Sequence, residues 1–174
     1  AGSNNALFVK DLKKNDKEFI PVIDNFEKSY SVVSTLENYL VVKTNYNAPR
    51  QRVVLIDPHH ADEKNWIELI PEQEEVLENA KHMAGRLVLI YMKDASNKVY
   101  SYEIKKEGNT YTAQNKKEMA LPTLGSVSGF YGKTTDSLTF YTFDSFVYPS
   151  VICEFNVATN FSQCYRRSEI DFNP

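Results

Sequence analysis

The chain has 174 residues, 42% of them hydrophobic and 25% charged, with 20 Lys and Arg against 23 Asp and Glu and a formal net charge of -3. That is a soluble, globular composition with enough chain to bury a core in one or two domains. The mild acidity and the lack of any clustered basic stretch exclude nucleic acid as an expected partner, and no apolar run is long enough for a membrane span.

The 11 Tyr and 10 Phe favour β structure, because flat side chains suit a pleated, half-buried surface. In chain order, residues 1–3 (AGS) read as an expression remnant, so the lack of a signal peptide carries little weight. Residues 4–22, with ALFVKDLKKNDKEFIP, supply two strands. Residues 23–71 then read as four short strands, SYSVVST, NYLVVKTN, QRVVLID and WIELIP. Residues 72–122 give VLENAKHMA, RLVLIYMK, KVYSYEI and TYTAQNKKEMAL, and residues 123–174 give SVSGFYG, SLTFYTFD, SVICEFNV and SQCYRRS. The loops between them (NYNAPRQ, KDASNK, KEGNT, GKTTDS, FVYPS) carry turn-forming residues.

Three markers share one period. Pro21, Pro71 and Pro122 close similar phrases 50 and 51 residues apart. YLVVKTN from Tyr39, LVLIYMK from Leu87 and LTFYTFD from Leu138 stand 48 and 51 apart. The strand after the loop recurs at Phe8, Val54, Tyr100 and Ile152, in steps of 46, 46 and 52. Four antiparallel strands in such a unit describe a propeller blade. The fold expected is therefore all-β, a partial β-propeller of about three and a half blades of four antiparallel strands. PEQEEVLENAKHMAG is rich in helix formers, but its place in the repeat is that of a first strand, and the repeat takes precedence.

Three and a half blades do not close a ring, and an open stack leaves an apolar face at each end. The last unit carries the same apolar alternation as its neighbours, with no sign of a cap. A larger propeller, or a homodimer joined through the exposed blade edges, is the expected way to cover the ends.

Chemistry-bearing patterns are sparse. Ser126 and Ser128 in GSVSG lack the glycine spacing of a nucleophile elbow and stand on a blade strand. His59 and His60, beside Asp57, Asp62 and Glu63, suggest a metal site, but adjacent residues of an extended chain point in opposite directions. A solvated loop is the better reading. His82 reads as a packing residue, the carboxylates from Glu72 to Glu75 as a solvated connection, and Trp66 as a packed aromatic. No residue is assigned a catalytic, cofactor-binding or metal-binding role. Cys153 and Cys164 flank VATNF; a two-residue turn would set them opposite each other, and a turn one residue longer would set them on opposite faces. Two buried thiols are expected rather than a bridge.

The phrases VIDNFEKSYSVVS, VVKTNYNAPRQRVVLIDP, NWIELIPE, VLIYMKDASNKVYSYEI, LPTLGSVSGFYG and FYTFDSFVYPSVICEFNVAT, in this order, resemble the propeller of the prolyl oligopeptidase (prolyl endopeptidase) family, most closely its bacterial members. The resemblance implies the second half of a seven-bladed propeller that restricts access to an α/β-hydrolase domain with a Ser-Asp-His triad. That parent would cleave short peptides after proline. The chain stops at SEIDFNP, before the hydrolase domain would resume, so no triad residue can be carried onto it and the fragment alone is expected to be inactive. Its partners, so read, are short proline-containing peptides, the absent hydrolase domain and the remaining blades. Cytoplasmic and periplasmic locations stay open. Two other readings stand beside this one: a free-standing propeller-like module binding a protein or glycan, and a hydrolase with a metal at His59 and His60.

Overall fold

The structure is a computed structural model and describes residues 4–12, 17–145, 147 and 149–165. Residues 1–3, the closing SEIDFNP, and Phe146 and Tyr148 of the FVYPS loop lie outside the described residues.

Among the described residues fourteen strands form one two-stranded and three four-stranded antiparallel sheets. The two-stranded piece is β1 (Leu7–Val9) with β2 (Ile20–Ile23). The first full sheet is β3 (Tyr30–Leu36), β4 (Tyr39–Thr44), β5 (Arg52–Ile56) and β6 (Ile67–Ile70). The second is β7 (Val76–Met83), β8 (Arg86–Lys93), β9 (Ser96–Glu107) and β10 (Thr110–Met119). The third is β11 (Ser126–Tyr131), β12 (Leu138–Asp144), β13 (Val151–Asn156) and β14 (Phe161–Cys164). Each sheet runs in sequence order, a meander of hairpins. The described residues include no α-helix, only a 3-10 turn at Glu63–Asn65.

The helix-like segment is strand β7, and its burial explains the ambiguity. Leu77, Ala80 and Met83 are buried at intervals of three, as on a helix face. A bulge between Leu77 and Asn79 shifts the register by one residue, so Leu77 and Ala80 both face the first sheet while Met83 faces the third. Bulges of this kind bend a strand and re-aim its side chains.

Three cores lie between successive sheets. Leu7, Val9, Val22 and Ile23 meet Tyr30, Leu40, Val42, Val54 and Ile56. Val41, Val53, Leu55 and Ile70 meet Leu77, Leu87, Leu89, Tyr91 and Tyr111. Val88, Ile90, Val99 and Met119 meet Val127, Phe130, Tyr141, Phe143 and Phe155. A strand in the middle of this stack has two apolar neighbours, so all six residues from Arg86 to Tyr91 are buried. In β12 Thr139, Tyr141 and Phe143 are buried while Leu138 and Phe140 stay 46% and 47% exposed. At the other end Phe8 is 50% exposed. Both outer faces of the stack are therefore apolar and uncovered.

A polar clamp repeats at the junctions. The Asn5 backbone N–H donates to the Lys28 carbonyl at 3.0 Å, and Asn5 Oδ1 accepts from the Tyr30 N–H at 2.8 Å. Asn97 does the same to the Gly125 carbonyl and the Val127 N–H, both at 2.8 Å. Each asparagine thus fixes the entry of the next sheet's first strand, satisfying backbone groups that the ladder leaves unpaired. At the intermediate junction the Leu77 N–H donates to the Arg50 carbonyl at 2.9 Å. Within the second sheet the buried Arg86 guanidinium donates to Ser101 Oγ and to the carbonyls of Ser101 and Asn115, so one side chain ties β8, β9 and β10 together.

The expectation of two buried thiols is corrected: Cys153 and Cys164 form a disulfide, with Cys153 fully buried and Cys164 exposed. Asn156 pairs with Phe161 across a four-residue loop. Four, like two, is an even count, so the cysteines fall opposite each other. Asn156 Oδ1 accepts from the N–H groups of Ala158 and Thr159, and Asn160 adopts φ +60°, which shapes this loop.

Candidate functional site

The first strands of the three four-stranded sheets are β3, β7 and β11. All three are bulged, at Val32/Ser34, Leu77/Asn79 and Gly129/Tyr131. Between buried positions that hold the sheets together, they leave Ser31, Val32, Thr35, Glu78, Asn79, Ser126, Ser128 and Tyr131 exposed. Lys43, on β4 beside β3, donates to the Glu78 carbonyl on β7, and burial lowers its pKa. These strands expose hydroxyl, amide and carboxylate groups beside the apolar Val32, Val76 and Tyr131.

The sites considered from the sequence disperse. Ser126 and Ser128 lie on a strand paired with β12 rather than on a strand-to-helix turn. His60 Nδ1 is 3.0 Å from Asp57 Oδ2, while Asp57 Oδ1 accepts from the His59 backbone N–H. This is a self-contained loop that holds the Asp57 pKa below its ordinary value, chiefly through the His60 hydrogen bond. Among the described residues no three His, Cys, Asp or Glu side chains gather as a metal site. Trp66 donates to the Ala61 carbonyl at 2.7 Å and meets the rings of Tyr30 and Tyr46 edge-on. Glu72 accepts from the Arg50 N–H and Glu75 pairs with Lys93 at 2.8 Å, so the acidic connection is fastened as well as solvated.

His82 has a partner that sequence reading missed. Its Nδ1 lies 2.8 Å from Ser34 Oγ, joining β7 to β3 across the junction of the first two sheets. Burial lowers the His82 pKa. The unfolded chain therefore takes up a proton near pH 6.5 that the folded chain still refuses, and stability falls as the pH drops through that value. Denaturant midpoints at pH 7.5 and pH 5 should fall more steeply with acid in the wild type than in His82→Gln. Equal slopes would refute the assignment.

A groove of about 610 Å³ opens beside Asn97, Lys98, Glu118, Met119 and Leu121, where the second sheet meets the third. Like the clamps, it belongs to the sheet junctions. The asparagine clamps had a sequence signal: Asn5, Gln51 and Asn97 recur at the 46-residue step of the third strands.

Radially arranged four-stranded meanders, packed face to face and joined from the last strand of one to the first of the next, define a β-propeller, here an incomplete one. Residues 1–168 match the family model of the prolyl oligopeptidase N-terminal β-propeller domain, and the chain belongs to that family. It is 33% identical over its whole length to a prolyl endopeptidase of Elizabethkingia meningoseptica, of which it covers 23%. It is 30% identical over 162 residues, 90% of its length, to a dual function macrocyclase-peptidase of Amanita bisporigera, covering 21% of that protein. A solved structure from a study of two prolyl endopeptidases superposes with a TM-score of 0.80 at 27% identity, over 94% of this chain and 23% of the other. The chain thus spans under a quarter of the length of these relatives.

Proposed function

We propose that this chain is the non-catalytic, gating portion of a serine-type prolyl oligopeptidase that cleaves short peptides after proline. The observation that carries the reading is the match of nearly the whole chain to the family's propeller domain. In this reading residues 4–22 complete a preceding blade, and 23–71, 72–122 and 123–174 are one blade each. β3, β7 and β11 border the passage to the active site, and their exposed polar side chains set its width and polarity. The remaining blades cover the apolar end faces, and the nucleophile, acid and histidine of the triad come from a hydrolase domain beyond this segment.

The test uses a proline-containing chromogenic peptide. The 174-residue chain should give no hydrolysis above buffer, and a longer protein that contains it together with the hydrolase domain should cleave short peptides while rejecting long or folded ones. Hydrolysis by the chain alone would overturn the non-catalytic assignment. A longer protein inert toward short proline peptides would overturn the enzymatic one.

A further inference from the structure

Between the first and second sheets, on the second sheet's side, lies a group of aromatic and charged residues that the gating reading does not use. Tyr91 on β8 is only 2% exposed, and its hydroxyl has no hydrogen-bond partner. It lines a cavity of about 20 Å³ together with Gln73, Glu75, Tyr100, Tyr102 and Lys116. The Tyr91 and Tyr100 rings meet edge-on with centroids 5.9 Å apart. Lys116 Nζ stands 3.9 Å from the centroid of Tyr100 and 5.8 Å from that of Tyr102.

The backbone explains how Lys116 comes to be there. The register of β10 against β9 shifts between Gln114 and Lys117, and Asn115 adopts φ +52°. Lys116 therefore leaves the regular ladder and lies over the rings of β9. Glu75, at the entry to β7, closes the group with a carboxylate whose pKa is lowered first by its hydrogen bond to Lys93 and in part by the charge of Lys116. Burial raises the Tyr91 pKa, so its phenol stays neutral.

Tyrosine faces present negative charge, and a carboxylate adds more; such a box attracts a cation and repels an anion. The cavity holds no more than a water-sized group, so an incoming cationic head must take the place of the lysine ammonium. We propose that Tyr91, Tyr100, Tyr102, Gln73 and Glu75 form an ammonium-recognition site, filled at rest by the chain's own Lys116 and open to an alkylammonium group when Lys116 is displaced. The Tyr91 oxygen, buried and unpartnered, is the acceptor that an N–H of such a group would find.

The experiment is calorimetric titration of the purified protein with methylammonium chloride, against sodium chloride as control. Lys116→Ala should bind the ammonium ion about tenfold more tightly than wild type. Tyr100→Ala in that background should abolish the gain, and Tyr100→Phe, which keeps the ring face, should retain it. Equal affinity in wild type and Lys116→Ala, or binding that survives Tyr100→Ala, would overturn the proposal. A second measurement needs no substitution of Lys116. After reductive ¹³C-methylation of the lysines, the Lys116 methyl resonance should be shifted upfield by the tyrosine rings and return to its ordinary position in Tyr100→Ala. An unshifted resonance would overturn the proposal equally.

Discussion

Gly125→Ala is expected to lower stability by about 3 kcal/mol, an overpacking cost at the upper end of the usual range. A β-carbon at Gly125 would lie 2.2 Å from the Asp144 carbonyl oxygen and 2.8 Å from Phe143 Cζ. The first of these is backbone of the paired strand, and the second belongs to a buried ring of the core, so neither yields cheaply. The Gly125 carbonyl also accepts the Asn97 N–H at 2.8 Å. Displacing residue 125 therefore loosens the clamp between the second and third sheets as well. Gly108→Ala is the comparison. Nothing stands within 4 Å of its β-carbon, and only its φ of +61° is unfavourable, a cost of about 1 kcal/mol. Urea midpoints of the two variants measure the difference, and equal losses would show that the close approach at Gly125 is unimportant.

Phe130→Ala should cost about 4 kcal/mol, as expected for a large aromatic removed from a packed interior. Phe130 is fully buried, stacked on Tyr141 with centroids 5.0 Å apart and planes 2° apart, and edge-on to Phe155 at 6.3 Å. It sits at the β11 bulge with φ +59°, a conformation costly for a side chain of this size. Alanine inherits that strain and loses the stacking, so nothing offsets the cavity. Phe130→Leu keeps much of the apolar volume and should lose roughly half as much. Thermal or chemical unfolding checks both. A loss under about 1 kcal/mol for alanine would mean that the seam between these sheets collapses to fill the space.

The blade repeat was legible because each full sheet reuses one pattern and the markers at Pro21, Pro71 and Pro122 keep its spacing. The same regularity placed β7 correctly against its own helix-like composition. The disulfide was not legible. VATN lacks the asparagine-glycine signature of a two-residue hairpin, and the parity of the loop, which decides whether Cys153 meets Cys164, depends on contacts made by Asn156. The Ser34–His82 contact joins positions 48 apart on different sheets, where bulges on both strands set the alignment. The tyrosine box is further still from the sequence. It needs three strands, the connection that carries Gln73 and Glu75, and an irregularity at Asn115 to bring Lys116 over the rings.

The stacking of sheets described above also governs how the molecule comes apart. Each sheet touches only those before and after it, so its persistence rests on an intrinsic contribution and one coupling per neighbour, as in a row of dominoes rather than a sphere. The first and second four-stranded sheets, each coupled on both sides, anchor the row. In the described residues taken by themselves, loosening begins at the outer members, the short β1–β2 pair and the third sheet, and travels inward.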